Sequence, residues 1–155
     1  MVPKGATVPL AHISGAGCIR HIWVTIRCSD KWYLRKILLR MFWDGEQSPS
    51  VEVPIGDFFG IGHGATRNFV SAPLQMSPDN GRGFNCWWPM PFGEGARIEV
   101  ENQCDAEVEA FYYYIDYEEY RHLEPGLGRF HATWHRENPT DGIPDVGMDN
   151  REWLF

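Results

Sequence analysis

Several stretches of the chain alternate hydrophobic and polar residues with the two-residue period that a half-buried β-strand requires. The clearest is GCIRHIWVTIRC at residues 17–28, where isoleucine and valine alternate with tryptophan, threonine and arginine. Residues 34–43 alternate likewise and end at Asp44-Gly45, a strong turn dipeptide. Their leucine and arginine content also suits a short helix, but the period and the aromatic end favour a strand.

Shorter stretches extend this pattern along the rest of the chain. Strands are predicted over residues 51–54, 68–76, 83–92, 96–103, 106–117 and 129–135, separated by turns that contain Gly, Pro and Asn. Prolines within 68–76 and 83–92 indicate edge strands, because proline cannot donate a hydrogen bond to a ladder. Residues 96–103 and 106–117 are interpreted as a hairpin that turns near residues 102–105.

This succession of strands predicts the fold class. Roughly seven or eight strands without a convincing amphipathic helix indicate an all-β protein, a jelly-roll-type antiparallel β-sandwich. The chain of 155 residues has the length of one domain. We assign residues 1–142 to that domain and residues 143–155 to the start of a linker, since the chain stops on Trp153, Leu154 and Phe155 as if interrupted before a further element.

Residues 56–64 (GDFFGIGHG) hold four glycines and are the first candidate for a functional segment. Glycines at this density predict a loop that turns tightly, and such loops often carry function. Asp57 lies beside Phe58 and Phe59, whose apolar surroundings would raise its pKa, and His63 could pair with it. The aspartate is interpreted either as a catalytic or sugar-binding group, or as a loop cap whose neighbouring rings plug the sandwich.

Two further segments combine aromatic and polar residues. Trp87 and Trp88 follow Asn85, and the string HATWHRE at residues 131–137 contains His131 and Trp134. Flat rings beside amide or imidazole groups suit sugars, whose apolar faces stack while their hydroxyls form hydrogen bonds. Most tryptophans of a β-sandwich belong instead to the core or to a subunit interface, so both interpretations stay open.

The acidic residues are the first candidates for catalysis, since most glycosidases need two carboxyl groups that face each other across the sugar. Glu99 with Glu101, and Glu107 with Glu109, share strand faces at two-residue spacing. They alternate with apolar residues, which is the ordinary pattern of a solvent-facing side. The acidic residues at 116–119 are interpreted in the same way.

Composition and charge narrow the classes of partner. Hydrophobic residues make up 43% of the chain and charged residues 23%, as in globular proteins. The net charge of -7 disfavours nucleic acid, because an acidic surface repels phosphate backbones. No apolar run is long enough to span a bilayer, so no membrane partner is expected. Since the opening MVPKGATVPL also lacks the apolar centre of a signal peptide, localisation is left open with the cytoplasm favoured.

The chain carries no motif for metal, cofactor or triad chemistry. Its four cysteines have no zinc-type spacing and are predicted to be buried free thiols: Cys18, Cys28, Cys86 and Cys104. Neither Gly-x-Ser-x-Gly nor His-Glu-x-x-His occurs, which argues against a serine hydrolase and a metalloprotease. We therefore expect no cofactor and no metal.

Five ordered strings carry a family resemblance that covers roughly residues 7–142: GAGCIRHIWVTI, LRKILLRMFWDGEQSPSVEVPIGDFFGIGHG, FNCWWPMPFGEGARIEVEN, FYYYIDYEEY and FHATWHRENPT. Together they resemble the domain of unknown function 2961 family, which is placed among glycoside hydrolases as family 172. The resemblance implies a jelly roll that occurs twice in the full-length enzyme, assembly into trimers or hexamers, and action on furanosides such as α-D-fructofuranosides or D-arabinofuranosides.

The resemblance also implies where catalysis lies. The family uses two glutamates with retention of configuration, and both belong to a C-terminal half whose Gly-Thr-Gly-Thr-Glu-Asp-type segment does not occur in this sequence. No residue here can inherit their role, so no catalytic residue is assigned. The segments that do match, namely the loop with Asp57 and His63, residues 85–92 and residues 131–138, are expected near the active-site mouth or a subunit contact.

Three hypotheses follow from the sequence. The first is the N-terminal portion of a furanosidase that supplies fold, oligomer contacts and part of the sugar pocket, and is inactive alone. The second is a non-catalytic carbohydrate-binding domain in which Asp57, Trp87 and Trp88 hold a glycan. The third is a structural jelly roll whose exposed edges and aromatic residues form an assembly.

Overall fold

The computed structural model describes residues 1–137. Over these residues the chain forms eleven strands and two four-residue helices, which in chain order are β1 (Thr7–Ser14), β2 (Ala16–Cys28), α1 (Tyr33–Lys36), β3 (Ile37–Trp43), β4 (Val51–Pro54), α2 (Ile55–Phe58), β5 (Phe69–Val70), β6 (Leu74–Met76), β7 (Phe84–Cys86), β8 (Met90–Phe92), β9 (Gly95–Asn102), β10 (Val108–Tyr120) and β11 (Ala132–Thr133). The predicted domain end at residue 142 and the predicted linker at 143–155 lie outside the described residues.

The strands form two sheets that pack face to face around one core. The first sheet has the order β1-β9-β3-β4-β11, and the second has the order β10-β2-β7-β6-β5, with β8 also paired to β2. The late strand β9 lies between the early strands β1 and β3, as expected where the chain repeatedly crosses between sheets. The prediction of an all-β, jelly-roll-type sandwich is confirmed. No helix within residues 1–137 has the length and apolar character to cross a membrane.

The core follows directly from the alternation in the sequence. Isoleucine and valine side chains of β2 point inward, and Ile37, Leu39 and Met41 of β3 face them from the opposite sheet. Each fully buried side chain of this size contributes about 1.5–3 kcal/mol through the area that it removes from water. All four cysteines are free, as predicted, and burial is confirmed for three of them, whereas the prediction is wrong for Cys28, which is only partly buried.

Residues 34–43 were predicted as one strand, and this prediction is wrong for the first three residues. They belong to α1, while the strand begins at Ile37. The helical turn starts because Asp30 accepts two hydrogen bonds: its side-chain Oδ1 accepts from the backbone N–H of Trp32, and its carbonyl oxygen accepts from the backbone N–H of Tyr33. The short-helix alternative therefore applies to this turn only.

The two proline-containing stretches were predicted as edge strands. Residues 68–76 form two strands, β5 and β6, of which β5 lies at the edge of the second sheet. Residues 83–92 also split, and the edge prediction is wrong for β7, which is hydrogen-bonded on both sides by β2 and β6. Pro89 lies between β7 and β8, and Pro91 lies in β8, which pairs with β2 alone among the described strands.

At both ends of the chain the prediction was incomplete. Strand β1 was missed, because a register shift between Pro9 and Ala11 interrupts the two-residue period there. Of the strand predicted over 129–135, only Ala132–Thr133 (β11) is a strand, and it pairs in parallel with β4. Phe130, two residues before β11, is not part of a strand. Its carbonyl oxygen accepts a 2.7 Å hydrogen bond from the indole Nε1 of Trp43.

The predicted hairpin of residues 96–103 and 106–117 is wrong. Strand β9 pairs with β1 and β3, whereas β10 pairs with β2 in the other sheet. The fully buried Asn102 makes this crossing possible. Its Nδ2 donates to the carbonyls of Val2, Pro3 and Ala106 at 3.0–3.2 Å, and its Oδ1 accepts from the N–H of Cys104.

Replacing Asn102→Ala should lower the free energy of unfolding by about 2–4 kcal/mol, because buried backbone groups lose their partner and a cavity is left. Urea denaturation measures this loss. The neighbouring Gln103→Ala is the matched control, since Gln103 is exposed and its side chain contacts only Glu101. A loss for Asn102→Ala no larger than that of the control would contradict the role assigned to this side chain.

An acidic and basic cluster secures the same crossing from outside. The Asp30 carboxylate, 7% exposed, accepts from Lys36 Nζ at 2.9 Å and from the backbone N–H of Asp105 at 3.0 Å. These bonds lower the pKa of Asp30 from 3.8 to about 2, the hydrogen bond from Lys36 being the largest cause. Because the pKa is depressed in the folded state, Asp30 contributes stability above its ordinary pKa and loses it as pH falls.

The variant Asp30→Asn should therefore be less stable than the parent chain at pH 7. Its deficit should shrink as pH falls from about 4 to about 2, where the parent's own Asp30 becomes protonated. Urea midpoints of both proteins across this range measure the difference. A deficit that stays constant with pH would show that the carboxylate's charge contributes nothing.

Candidate functional site

The two short helices bring Asp57 of the glycine-rich loop next to Arg35. Helix α2 packs closely on α1 at Gly56, where an added Cβ atom would lie 2.9 Å from both the Cβ and the carbonyl oxygen of Leu34. Only glycine allows this approach without displacing backbone. The glycine-rich sequence is therefore explained in part by helix packing.

Arg35 is the partner of Asp57, and the sequence prediction did not include it. Its Nη1 lies 2.6 and 2.7 Å from the two carboxylate oxygens of Asp57 and 2.6 Å from the carbonyl oxygen of Gly62. The guanidinium carbon also lies 5.2 Å from the ring centroid of Trp134. We call Arg35, Asp57 and Trp134 the arginine cluster.

Burial raises the pKa of Asp57, and the opposing effect of Arg35 does not fully cancel it. The side chains of Asp57 and Arg35 are 19% and 27% exposed, so the pair is partly shielded from water. Both carboxylate oxygens face the guanidinium, which leaves Asp57 poorly suited to accept or deliver a proton. Its arrangement is that of a group that holds the loop in place.

Phe58 and Phe59 fill the end of the sandwich beside this cluster. Both rings are buried, with centroids 5.1 Å apart in an edge-to-face arrangement. Phe58 also lies edge-on to Phe130, whose other neighbour is the half-exposed Trp88 at 6.2 Å. Trp88 is thus the outermost ring of an aromatic stack that reaches into the core.

Trp87 lies in a second cluster, on the outer face of the second sheet. Its ring stacks on the imidazole of His21, with centroids 5.1 Å apart and planes at 10°. His21 Nδ1 lies 2.9 Å from Asp116 Oδ2, and Nε2 lies 3.1 Å from Asn85 Oδ1. We call these four residues the histidine cluster.

The strand register builds the histidine cluster. Asp116 of β10 pairs directly with His21 of β2, while Asn85 of β7 pairs with Trp23, two residues along the same face. The sequence prediction included Asn85 and Trp87 but missed His21 and Asp116. Alternation could have placed His21 on the face of Trp23, but only the pairing of strands distant in sequence identifies its partners.

The two remaining predicted site residues are not part of either cluster. His63 and His131 are exposed, and neither makes a hydrogen bond or ion pair within the described residues. Asp57 is bound by Arg35, not by His63.

An open groove of about 460 Å³ begins next to Trp88. Its floor is largely apolar and includes Pro89, Pro91 and Phe130, while Arg20 and Tyr120 supply polar groups. Arg20 donates at 2.9 Å both to Glu118 Oε2 and to Tyr120 Oη, so its charge is already compensated. The groove has the size of a small ligand site with few polar contacts.

Several other carboxylates are held by cations or backbone donors. Asp44 accepts from three consecutive backbone N–H groups at residues 93–95 and from Arg129, and its pKa falls below its ordinary value although burial opposes this. Glu99 and Glu101 lie half-buried on the outer face of the first sheet, each within reach of an arginine, while Glu107 and Glu109 are exposed. Among the carboxyl groups of residues 1–137 whose pKa values are displaced, only that of Asp57 is raised.

These features define a class of protein: a β-sandwich domain that presents tryptophan rings together with amide, imidazole and carboxylate groups at its surface. Residues 1–113 match the family described as GH172 domain-like, and the chain belongs to this family. The match confirms the predicted resemblance and relates the protein to glycoside hydrolases. No curated protein matches the chain.

The arginine cluster predicts a pH-dependent response to Arg35→Gln. At pH 7 the free energy of unfolding should fall by about 1–3 kcal/mol, because a partly buried carboxylate loses its cation. The loss should be smaller at pH 5, since burial already raises the pKa of Asp57 and the variant can protonate it. Urea denaturation at both pH values measures this.

Two further variants test the assignment to Asp57. Adding Asp57→Asn to Arg35→Gln should remove the pH dependence of the loss. Arg82→Gln is the control, because Arg82 belongs to a well-exposed pair with Asp79 that should contribute little. Equal losses for Arg35→Gln at both pH values would exclude Asp57 as the cause.

Proposed function

We propose that the chain is the N-terminal portion of a glycoside hydrolase-like protein that acts on furanosides, either α-D-fructofuranosides or D-arabinofuranosides. In this role it supplies fold and sugar contacts but not the catalytic glutamate pair. The observation that carries the proposal is the family match over residues 1–113 together with the histidine cluster on the domain surface.

The state of the carboxyl groups supports inactivity of this portion alone. A retaining glycosidase needs one carboxyl group with a raised pKa as acid and a second, ionised one about 5 Å away as nucleophile. Asp57 has the raised pKa, but Arg35 contacts both of its oxygens. The backbone N–H of Glu94 together with Arg129 lowers the pKa of Asp44 although burial opposes this, and Gln103 together with Arg40 lowers the pKa of Glu101, so neither group is suited to act as the acid.

The histidine cluster supports sugar contact. Trp87 is 41% exposed, and a flat exposed ring offers an apolar surface to the C–H face of a furanose. Asn85, His21 and Asp116 lie beside it and provide both donors and acceptors for hydroxyl groups. The hydrogen bonds among these three side chains hold them in place before a ligand arrives, which lowers the entropy cost of binding.

The aromatic stack extends the proposed contact region toward the groove. Trp88 is 41% exposed and follows Trp87 in the connection between β7 and β8. The ring of Trp87 stacks on His21, whereas the ring of Trp88 packs against Phe130. Trp134 is also 41% exposed and lies over Arg35. Phe59 and Phe58 support Trp88 from the core through Phe130, while the exposed His63 and His131 remain candidates for contacts with a longer glycan.

Two alternatives share these residues: a non-catalytic carbohydrate-binding domain, and a structural domain whose jelly roll forms an assembly. The proposed family role includes a homo-oligomer, a trimer or hexamer. Light scattering combined with sugar binding separates the structural role from the other two, because a discrete oligomer without sugar response favours the structural role.

The test uses the purified chain with a D-arabinofuranosyl oligosaccharide and a fructofuranosyl disaccharide in isothermal calorimetry. We expect millimolar binding of at least one sugar, and Trp87→Ala should weaken it about tenfold through lost stacking. Trp32→Ala is the matched control, because Trp32 is similarly exposed but contacts Lys31 away from the histidine cluster. Equal effects of the two substitutions would remove the histidine cluster from the proposal.

Catalysis is tested separately with aryl α-D-fructofuranoside and aryl D-arabinofuranoside. The chain alone should release no aryl alcohol above the buffer rate. Turnover by the purified chain would contradict the absence of a catalytic pair, whatever the calorimetry shows.

A further inference from the structure

Strand β10 forms one edge of the second sheet and, beyond Val108, is open along its outer side within the described residues. It is 13 residues long and pairs with β2 from Val108 to Tyr120. At Val108 the outer side is occupied by Val2, since the two residues exchange backbone hydrogen bonds at 2.9 and 3.0 Å. The outward N–H and C=O groups of the following residues have no neighbouring strand in the part of the sheet that the structure describes. A long edge of this kind is a template for pairing with another chain.

The usual protections of an edge strand are missing in the middle of β10. Residues 107–120 contain no lysine, arginine or proline, which are the residues that commonly block edge pairing. Register shifts with β2 occur between Val108 and Ala110 and between Asp116 and Tyr117. Between them, residues 110–116 form a regular ladder that an additional strand could continue.

The two faces of this ladder differ in character. On the core side, Phe111 and Ile115 are half-buried, and Tyr113 donates from its hydroxyl to the carbonyl of Leu10 at 2.9 Å. On the outer side, Tyr112 and Tyr114 are 66% and 67% exposed. Apolar residues of an added strand would extend the core side of the sheet. Its residues on the outer side would lie beside the exposed rings of Tyr112 and Tyr114.

The charge of the edge selects the kind of strand that fits. Residues 107–120 carry five carboxylates and no cation, and only Glu109 and Glu118 have an arginine partner, on β2. A second β10 is a poor partner, since antiparallel pairing centred on Tyr113 would set Glu107 opposite Glu119. Lysine or arginine on the outer side would instead approach the carboxylates and the faces of Tyr112 and Tyr114.

We propose that the open edge of β10 at residues 110–116 binds an extended basic segment of a partner polypeptide as an additional strand. The segment alternates apolar residues, which extend the core side, with lysine or arginine, which contacts the tyrosines and carboxylates of the outer side. Main-chain hydrogen bonds provide the pairing, and the alternating side chains provide the selectivity. This inference is independent of the proposed function.

The probe is a fluorescein-labelled nine-residue peptide that alternates valine and lysine, tested against the whole 155-residue chain. We expect saturable binding by fluorescence anisotropy, and slower hydrogen exchange at backbone amides of residues 110–116 in the complex. The same peptide with glutamate in place of lysine should not bind. Alternate backbone N–H groups of a strand point to opposite edges, so we use two N-methylated peptides, one methylated at odd and the other at even positions. The peptide whose methyl groups face β10 should lose binding, and the peptide whose methyl groups face away from β10 should retain it.

Variants of the edge test its side chains. Glu107→Lys with Glu119→Lys, and separately Tyr112→Ser with Tyr114→Ser, should each weaken binding about tenfold. Glu94→Lys with Glu124→Lys is the matched control, because it makes the same change in net charge at exposed positions outside β10 and should change affinity less than twofold. Thermal unfolding of each variant verifies that the fold is kept.

Three results would overturn the proposal. Equal binding of both N-methylated peptides would show that charge attracts the peptide without strand pairing. Equal weakening by the control pair would show that net charge alone decides. Dissociation of a homo-oligomer by the Tyr112→Ser and Tyr114→Ser variant, seen in light scattering without peptide, would show that a second copy of the chain occupies the edge.

Discussion

The buried side chain of Asn102 determines where the last quarter of the described chain lies. It satisfies three backbone carbonyls and one N–H at the point where the chain leaves the first sheet. A polar group without water must find partners in the protein, and here those partners come from the N-terminus and from the crossing itself. This arrangement lets β10 reach β2, and the register of that pairing brings Asp116 opposite His21.

Charge compensation is the second constraint on this domain. The partly buried carboxylates of Asp30, Asp44, Asp57 and Glu101 each have a cationic partner, and in three of them the pKa is held low. Such groups stabilise turns and strand faces, and they cannot serve as proton donors near neutral pH. Asp57, whose pKa is raised, is the exception, and both of its oxygens face Arg35. This compensation supports the proposed role, in which the domain supplies fold and sugar contacts without the catalytic pair.

The proposed sugar contacts and the open edge share strand β10. Asp116 orients His21 in the histidine cluster, and Tyr114, two residues earlier, lies on the same outer face, with its ring 5.5 Å from that of Trp23. A strand added to β10 would stiffen the region that carries Asp116, since edge residues gain hydrogen bonds on their second side. The proposed ligand contact and the proposed partner contact are thus adjacent on one sheet face, so we expect a substitution in β10 to affect both.

Local sequence determined which residues form strands and which sides of them face the core, as residues 17–28 and 96–103 show. It also pointed to Asp57, Asn85 and the tryptophan pair, because ring and polar residues stand together there. It could not determine that β9 and β10 belong to different sheets, that Arg35 and not His63 pairs with Asp57, or that His21 joins Asn85 and Asp116. A two-residue period specifies the face of a side chain but not the neighbouring strand, and that neighbour is decided only when distant segments pack into one core.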